Sequence, residues 1–224
     1  MGAGMKIANA EVITKSLIDW LDTKYNDKTI TTEVAVNTTY GTKVVDVMVS
    51  NGHAIAFEIK SELDTTKRLD SQVKGFSELF DYVYLVYWKE KFSLNELNLD
   101  ENIGAIEAYW DNNKNLTFKK VKNAKINRYA TPSTIAKFLW KNELNYFLHK
   151  KNITTKKSFD KSDLVNLFIQ NYNKTEAVGI LRFALKHRFK RGFLAYIKAK
   201  NQPNALKALI KSKTDINYIA KLEV

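Results

Sequence analysis

Two apolar runs carry the residues that could do chemistry. Val44-Val45-Asp46-Val47-Met48-Val49 holds one acid in its middle, and after a short turn Ala54-Ile55-Ala56-Phe57-Glu58-Ile59-Lys60 holds a second, followed two residues later by a lysine. Side chains alternate faces along a strand, so Glu58 and Lys60 point one way with Ala54 and Ala56, and Ile55, Phe57 and Ile59 point the other. The two alanines are expected to leave room for something to approach. A carboxylate is costly to bury unless it is paired. A divalent cation shared by Asp46 and Glu58, with Lys60 beside it, satisfies all three groups. Mg2+ or Mn2+ suits such a site, because these ions take oxygen ligands from one or two carboxylates together with water and phosphate oxygens. The carbonyl of Ile59 offers a third ligand. Such a metal activates water and neutralises charge at phosphorus, and Lys60 is suited to orienting that water or stabilising the transition state. The chemistry implied is metal-dependent phosphodiester hydrolysis.

Strands and helices must hold those residues in place. Asn51-Gly52 between two apolar runs is a hairpin signal, so strands over 43–50 and 53–60 are expected to be antiparallel neighbours. A strand over 29–37 precedes them, and an amphipathic helix over 6–25 carries Ile7, Ile13, Leu17, Trp20 and Leu21. A helix over 65–80, capped by Asp64 or Thr65, leads into Tyr82-Val83-Tyr84-Leu85-Val86-Tyr87-Trp88, whose aromatic and β-branched residues read as a buried strand. A strand–helix–strand order implies local parallel pairing. Residues 103–110 and 115–121 read as a closing strand pair. From about residue 123 only helices are expected. Thr131-Pro132 opens one carrying Ile135 through Phe147, another spans 160–171, a long one 175–199, and the last lies within 202–222 with Pro203 at its start. The expected organisation is an α/β core over 1–122 and a basic all-helical region over 123–224.

Composition narrows the function classes. The chain has 224 residues, 45% of them hydrophobic and 12% aromatic, enough for a sizeable core. It has no cysteine, which excludes disulfides, thiolate zinc sites and cysteine nucleophiles. No run approaches the roughly 18 apolar residues of a membrane span, and no signal-peptide core is seen, so a cytoplasmic protein with no membrane partner is expected. Met1-Gly2-Ala3-Gly4, ahead of Met5, reads as a cloning remnant and is left out of the fold reasoning. Residues 1–118 hold 12 Lys+Arg against 18 Asp+Glu, a net of −6, whereas residues 119–224 hold 24 against 6, a net of +18. That asymmetry points to an anionic partner reached through the second half. Nucleic acid is the expected one, DNA before RNA. Within Lys186-His187-Arg188-Phe189-Lys190-Arg191, Phe189 is expected in the core, with Lys186, Arg188, Lys190 and Arg191 forming a phosphate-facing stripe. His53 reads as a solvated turn residue. His149 and His187 lack metal-ligand spacing, and no Gly-rich phosphate loop is present.

The placement of Asp46 before Glu58-Ile59-Lys60, in the order helix, three strands, helix, strand, resembles the PD-(D/E)XK nuclease superfamily. The stretch from Glu58-Ile59-Lys60-Ser61 through Arg68-Leu69, Gln72 and Phe80-Asp81 looks closer to a branch of uncharacterised bacterial and phage proteins predicted to be nucleases, and Phe138 to Leu144 and Lys161 to Leu164 fit that branch's pattern. The resemblance implies a restriction-endonuclease-like core, with Asp46 and Glu58 as metal ligands and Lys60 as the catalytic lysine. It also implies an additional acid, Glu33 or in competition Glu11, and a catalytic role for Gln72. Phe76 stands where a related branch has tyrosine. Lys67 and Arg68, one turn from Gln72, become phosphate contacts. The implied activity is that of a Mg2+- or Mn2+-dependent nuclease; a further option is a structure-selective junction nuclease working as a homodimer. The rival is a catalytically silent module on the same fold that binds nucleic acid or a partner in a phage or defence system.

Overall fold

A computed structural model describes residues 7–202, 204–211 and 218–219. The expected helix start at Pro203 and the remnant at Met1–Gly4 lie outside the described residues. Helix α1 spans Ala10–Lys24. It begins later than its apolar period suggests, because the Asn9 side chain accepts the Val12 amide at 2.9 Å and caps it there, leaving Ile7 exposed before the cap. Strands β1 (Thr29–Thr38), β2 (Gly41–Ser50) and β3 (Ala54–Lys60) follow as antiparallel neighbours. Gly41 and Gly52 supply the left-handed backbone of the two turns, with φ of +82° and +98°.

Helix α2 spans Leu69–Ser77, shorter than the 65–80 expected. Asp64 does not cap it. Its carboxylate instead accepts the Ser61 amide and hydroxyl, at 2.8 and 2.5 Å, and closes a turn. Strands β4 (Tyr82–Trp88) and β5 (Gly104–Trp110) pair in parallel, β4 next to β3, and β6 (Leu116–Lys122) closes the sheet antiparallel. The result is a mixed six-stranded sheet in sequence order.

Helices α3 (Pro132–Phe138), α4 (Lys141–Lys150), α5 (Lys161–Asn171), α6 (Lys174–Arg188), α7 (Lys190–Ala199) and α8 (Ala205–Lys211) complete the described chain. The expected helix through residues 135–147 is two. Leu139 and Trp140 are extended, and the Glu143 carboxylate accepts the Trp140 amide at 2.7 Å to start α4. The expected helix over 175–199 is likewise broken, at Phe189, whose backbone (φ −102°, ψ −2°) ends α6 and begins α7.

Both faces of the sheet are covered. On one, Ala54, Ala56, Leu85 and Tyr87 pack with α2 and with α3–α6. On the other, Ile55, Phe57, Ile59 and Trp88 pack with α1, α7 and α8. Ala54 and Ala56 are wholly buried, so their small side chains admit packed helices and leave no open approach to Glu58. Each large side chain taken fully out of water on these faces contributes about 1.5–3 kcal/mol.

Candidate functional site

The two inner strands part company at the acids. β2 and β3 pair as far as Val47↔Phe57, and Asp46 and Glu58 would come next. There the Asp46 carboxylate replaces a ladder carbonyl and accepts the Ile59 amide at 2.7 Å. It is this amide, rather than the Ile59 carbonyl, that the structure ties to Asp46. On the same level of the neighbouring hairpin, β1 pairs with β2 on either side of Glu33 and Asp46, through Thr32↔Val47 and Val34↔Val45. Glu33 has a φ of +52°, a left-handed backbone that is strained for a glutamate in a strand. The hairpin changes face at this level. Ile30 and Val47 lie in the core under α1, whereas Val34 and Val45 lie in the opposite core, although regular alternation would keep each pair on one face. Acids from three adjacent strands thus stand side by side.

Glu58 is 1% exposed and Lys60 5%. The Lys60 Nζ donates to Glu58 Oε1 at 2.7 Å and to Gln72 Oε1, on α2, at 3.0 Å. Glu58 Oε2 is buried and has no hydrogen-bond partner. Burial, and behind it the charge of Asp46, pushes the Glu58 carboxyl up to about 7 against the pull of Lys60 and of the Gln72 amide. Burial also pushes Asp46 up to about 6, although the Ile59 amide and Lys60 favour its charged form. The site therefore holds two carboxylates and one lysine, with one carboxylate oxygen unsatisfied. Asp46 also lines a cleft of about 400 Å³ walled by Glu11 and Thr14 of α1, Thr32 and Glu33 of β1, and Leu206 and Lys207 of α8. Both contenders for the extra acid, Glu33 and Glu11, border that cleft. Among the described residues no group of three or more Asp, Glu, His or Cys side chains converges as a metal site.

The proposed phosphate contacts are scattered. Lys67 and Arg68 are exposed just ahead of α2, and Lys190 and Arg191 are exposed at the start of α7. Lys186 is ion-paired with Asp27 at 2.5 Å. Arg188 corrects the expectation of a phosphate-facing stripe, since it is 2% exposed and clamped on Glu143, with Nε 2.9 Å from Oε1 and Nη2 2.5 Å from Oε2. Its guanidinium stacks over Trp140, 4.2 Å from the ring centroid, and Tyr218 donates to the same glutamate at 2.8 Å. This hub eluded sequence reasoning because a charged residue's burial depends on a partner 45 positions away. His53 lies edge-on to Tyr82, 3.7 Å from Asp81, whose carboxylate is gripped by Arg182.

The fold and site define an α/β protein with an acid pair, Glu58 buried and Asp46 half-buried, opposed by one lysine at the fraying end of a central hairpin. The profile of bacteriophage P4 protein cII matches residues 6–210, and the chain belongs to that family. It is 27% identical over 215 residues to "Protein cII" of Enterobacteria phage P4, an alignment covering 93% of this chain and 80% of that protein. No solved structure matches.

These matches overturn the assignment to the PD-(D/E)XK superfamily, and with it the nuclease activity, the hydrolase class and enzyme status that it implied. Only the phage association survives. The physical reason lies in the motif's low information. Asp46 has a structural task in replacing a ladder acceptor, and Lys60 is consumed by Glu58 and Gln72.

Proposed function

We propose that this member of the phage P4 cII family is a nucleic-acid-binding protein, DNA before RNA, acting in the cytoplasm. The observation that carries the reading is uncompensated positive charge in the second half. Among the described residues, ion pairs take up Lys125, Lys151, Arg182, Lys186, Arg188 and Lys200. Lys119, Lys120, Lys190 and Arg191 are exposed outside those pairs, in a stretch whose net charge is +18. Such a surface gains affinity by releasing counterions from phosphates, so binding falls steeply with salt. In this reading residues 123–224 supply much of the contact surface, joined by Lys119 and Lys120 of β6, on the scaffold of residues 1–122. Fluorescence anisotropy on labelled duplex, single-stranded DNA and RNA across 50–300 mM salt tests it. A log–log slope of several units is expected, and no binding at the lowest salt overturns it.

A second reading rests on the orphaned Glu58 Oε2 beside Asp46. Two carboxylates with an unsatisfied oxygen fit a hard divalent cation, Mg2+ or Mn2+, which would supply the missing positive charge and order the end of the hairpin. Calorimetric titration with Mn2+ at pH 8 should register a site that Asp46→Asn removes; equal heats from both proteins refute it. The finer architectural reading, a restriction-endonuclease-like arrangement of α1, β1–β3, α2 and β4, is proposed for the fold alone. Element order and the parallel β3–β4 pair support it.

A further inference from the structure

We propose that the cleft between α1 and the sheet's far strands takes one unpaired nucleobase of a single strand, with the neighbouring phosphates on Lys24, Lys119 and Lys120. This rests on the reading of nucleic acid as partner, and it names a site and a strand form that the reading leaves open. The cleft is about 500 Å³ and is lined by Trp20, Lys24, Tyr25, Phe57, Tyr84, Ile106, Phe118, Lys119 and Lys120. That volume lies within the roughly 300–1,000 Å³ of clefts that enclose small organic groups. Its floor is fully buried Phe57, stacked on Tyr84 with centroids 5.5 Å apart and planes 14° apart. Its walls are half-exposed Trp20, Tyr25 and Tyr84. Phe57 points away from Glu58, so this site lies across the sheet from the Glu58 side chain.

The lining contains three lysines and no acid. Among the described residues none of the three lysines forms an ion pair, and Lys24 rests only over the Trp20 ring, 5.5 Å from its centroid. Lys119 and Lys120 follow one another on the edge strand β6, in register with Glu107 and Ile106, so Lys120 shares the face of Phe118 and Ile106 while Lys119 alternates to the other side of that edge. Packing of α1 onto the sheet accounts for the aromatic rings. It does not account for unpaired cations gathered at the rim of an aromatic hollow. Rings that accept a base face beside cations that track phosphate are the means by which single strands are held without sequence readout. A duplex keeps its bases stacked inside and cannot offer one to such a hollow.

The test uses the full chain and three probes: a labelled oligo(dT) twelve-mer, a duplex of equal length and dTMP. Lys24→Gln/Lys119→Gln/Lys120→Gln changes exposed side chains only, and circular dichroism checks its fold. The expected results are quenching of tryptophan fluorescence by oligo(dT), loss of that quenching in Trp20→Phe, and affinity for the oligonucleotide at least about tenfold weaker in the triple variant. A triple variant within twofold of the parent, or quenching that persists in Trp20→Phe, overturns the site. If salt-dependent duplex binding persists alongside either result, the nucleic-acid reading survives while this inference falls. Failure of the parent to bind duplex and strand alike sinks both. Equal affinity for dTMP and oligo(dT) overturns the strand as occupant and assigns a free nucleotide.

Discussion

Replacing Glu58 with glutamine should stabilise the metal-free protein at pH 8 and leave it nearly unchanged at pH 5. The Glu58 carboxyl is pushed from 4.5 up to about 7 by burial and by Asp46. A carboxyl whose pKa is raised on folding stabilises the fold while protonated. That contribution is complete below the unfolded value near 4.5 and is lost as pH rises through about 7. At 1.36 kcal/mol per unit, the loss across this window is roughly 3 kcal/mol. Asp46, raised to about 6, acts with the same sign, but each acid raises the other, so the pair titrates as one unit and the two losses do not add. The substituted amide keeps an acceptor for Lys60 and removes one negative charge. The Glu58→Gln variant should therefore exceed the parent at pH 8 by about 2–3 kcal/mol. At about 2–4 °C per kcal/mol for a chain of this size, that is some 5–10 °C in Tm. Thermal and urea melts from pH 5 to 8 with a chelator read the difference, and Mn2+ at pH 8 should narrow it by stabilising the parent. A gap that stays constant from pH 5 to pH 8, or a variant less stable at pH 8, would falsify the reasoning.

Arg188→Leu should cost about 3–5 kcal/mol in urea unfolding, because it strands the Glu143 carboxylate in the core; a loss below about 1 kcal/mol would show that Glu143 finds other partners or water. Lys190→Ala with Arg191→Ala, both exposed, should change stability by less than about 0.5 kcal/mol while weakening DNA binding and flattening its salt slope by up to about one unit per lost phosphate contact. An unchanged slope would move the binding surface elsewhere. Glu33→Gly should raise stability by about 1 kcal/mol, since glycine adopts a φ of +52° without the left-handed penalty. A Tm below the parent's would show that the glutamate side chain contributes more than its backbone strain removes.

The sheet was legible where local chemistry decides the outcome. Asn51-Gly52 fixed the β2–β3 hairpin, and the apolar run from Tyr82 to Trp88 is the central strand beside β3, in the parallel sense expected. Helix ends were less legible, because capping uses side chains whose partners are unknown in advance. Asp64 was spent on Ser61 rather than on α2, and Glu143 cut one periodic run into α3 and α4. The apolar period runs straight through Phe189, so nothing in the pattern marks the break between α6 and α7. Arg188 read as surface because lysines and arginines surround it in sequence, yet a glutamate from another helix draws it inside. That Asp46, Glu58 and Lys60 belong together was read from strand alternation, whereas Gln72 entered only through the family resemblance. The activity inferred from them was not legible, because an acid pair at the end of a hairpin is compatible with several tasks.

The change of face at Glu33 and Asp46 ties these observations together. A regular β1–β2 hairpin would direct alternate residues to fixed faces along its whole length, and Asp46 would carry on the ladder to Glu58 through its backbone. The left-handed residue at Glu33 and the parting of β2 from β3 at Asp46 instead twist the hairpin so that each half feeds a different core. Asp46, at the pivot, lines the cleft under α8 and α1 while its carboxylate holds the Ile59 amide. Glu58, one strand over, is closed off by Lys60 and by Gln72 of α2. A cation arriving through the cleft would therefore meet Asp46 first and draw on the unsatisfied Glu58 oxygen behind it. In doing so it would compete with the Ile59 amide for Asp46, and so couple occupancy of the site to the order of the central hairpin. That hairpin also carries Phe57, the floor of the aromatic cleft further along α1, so the two sites share one strand.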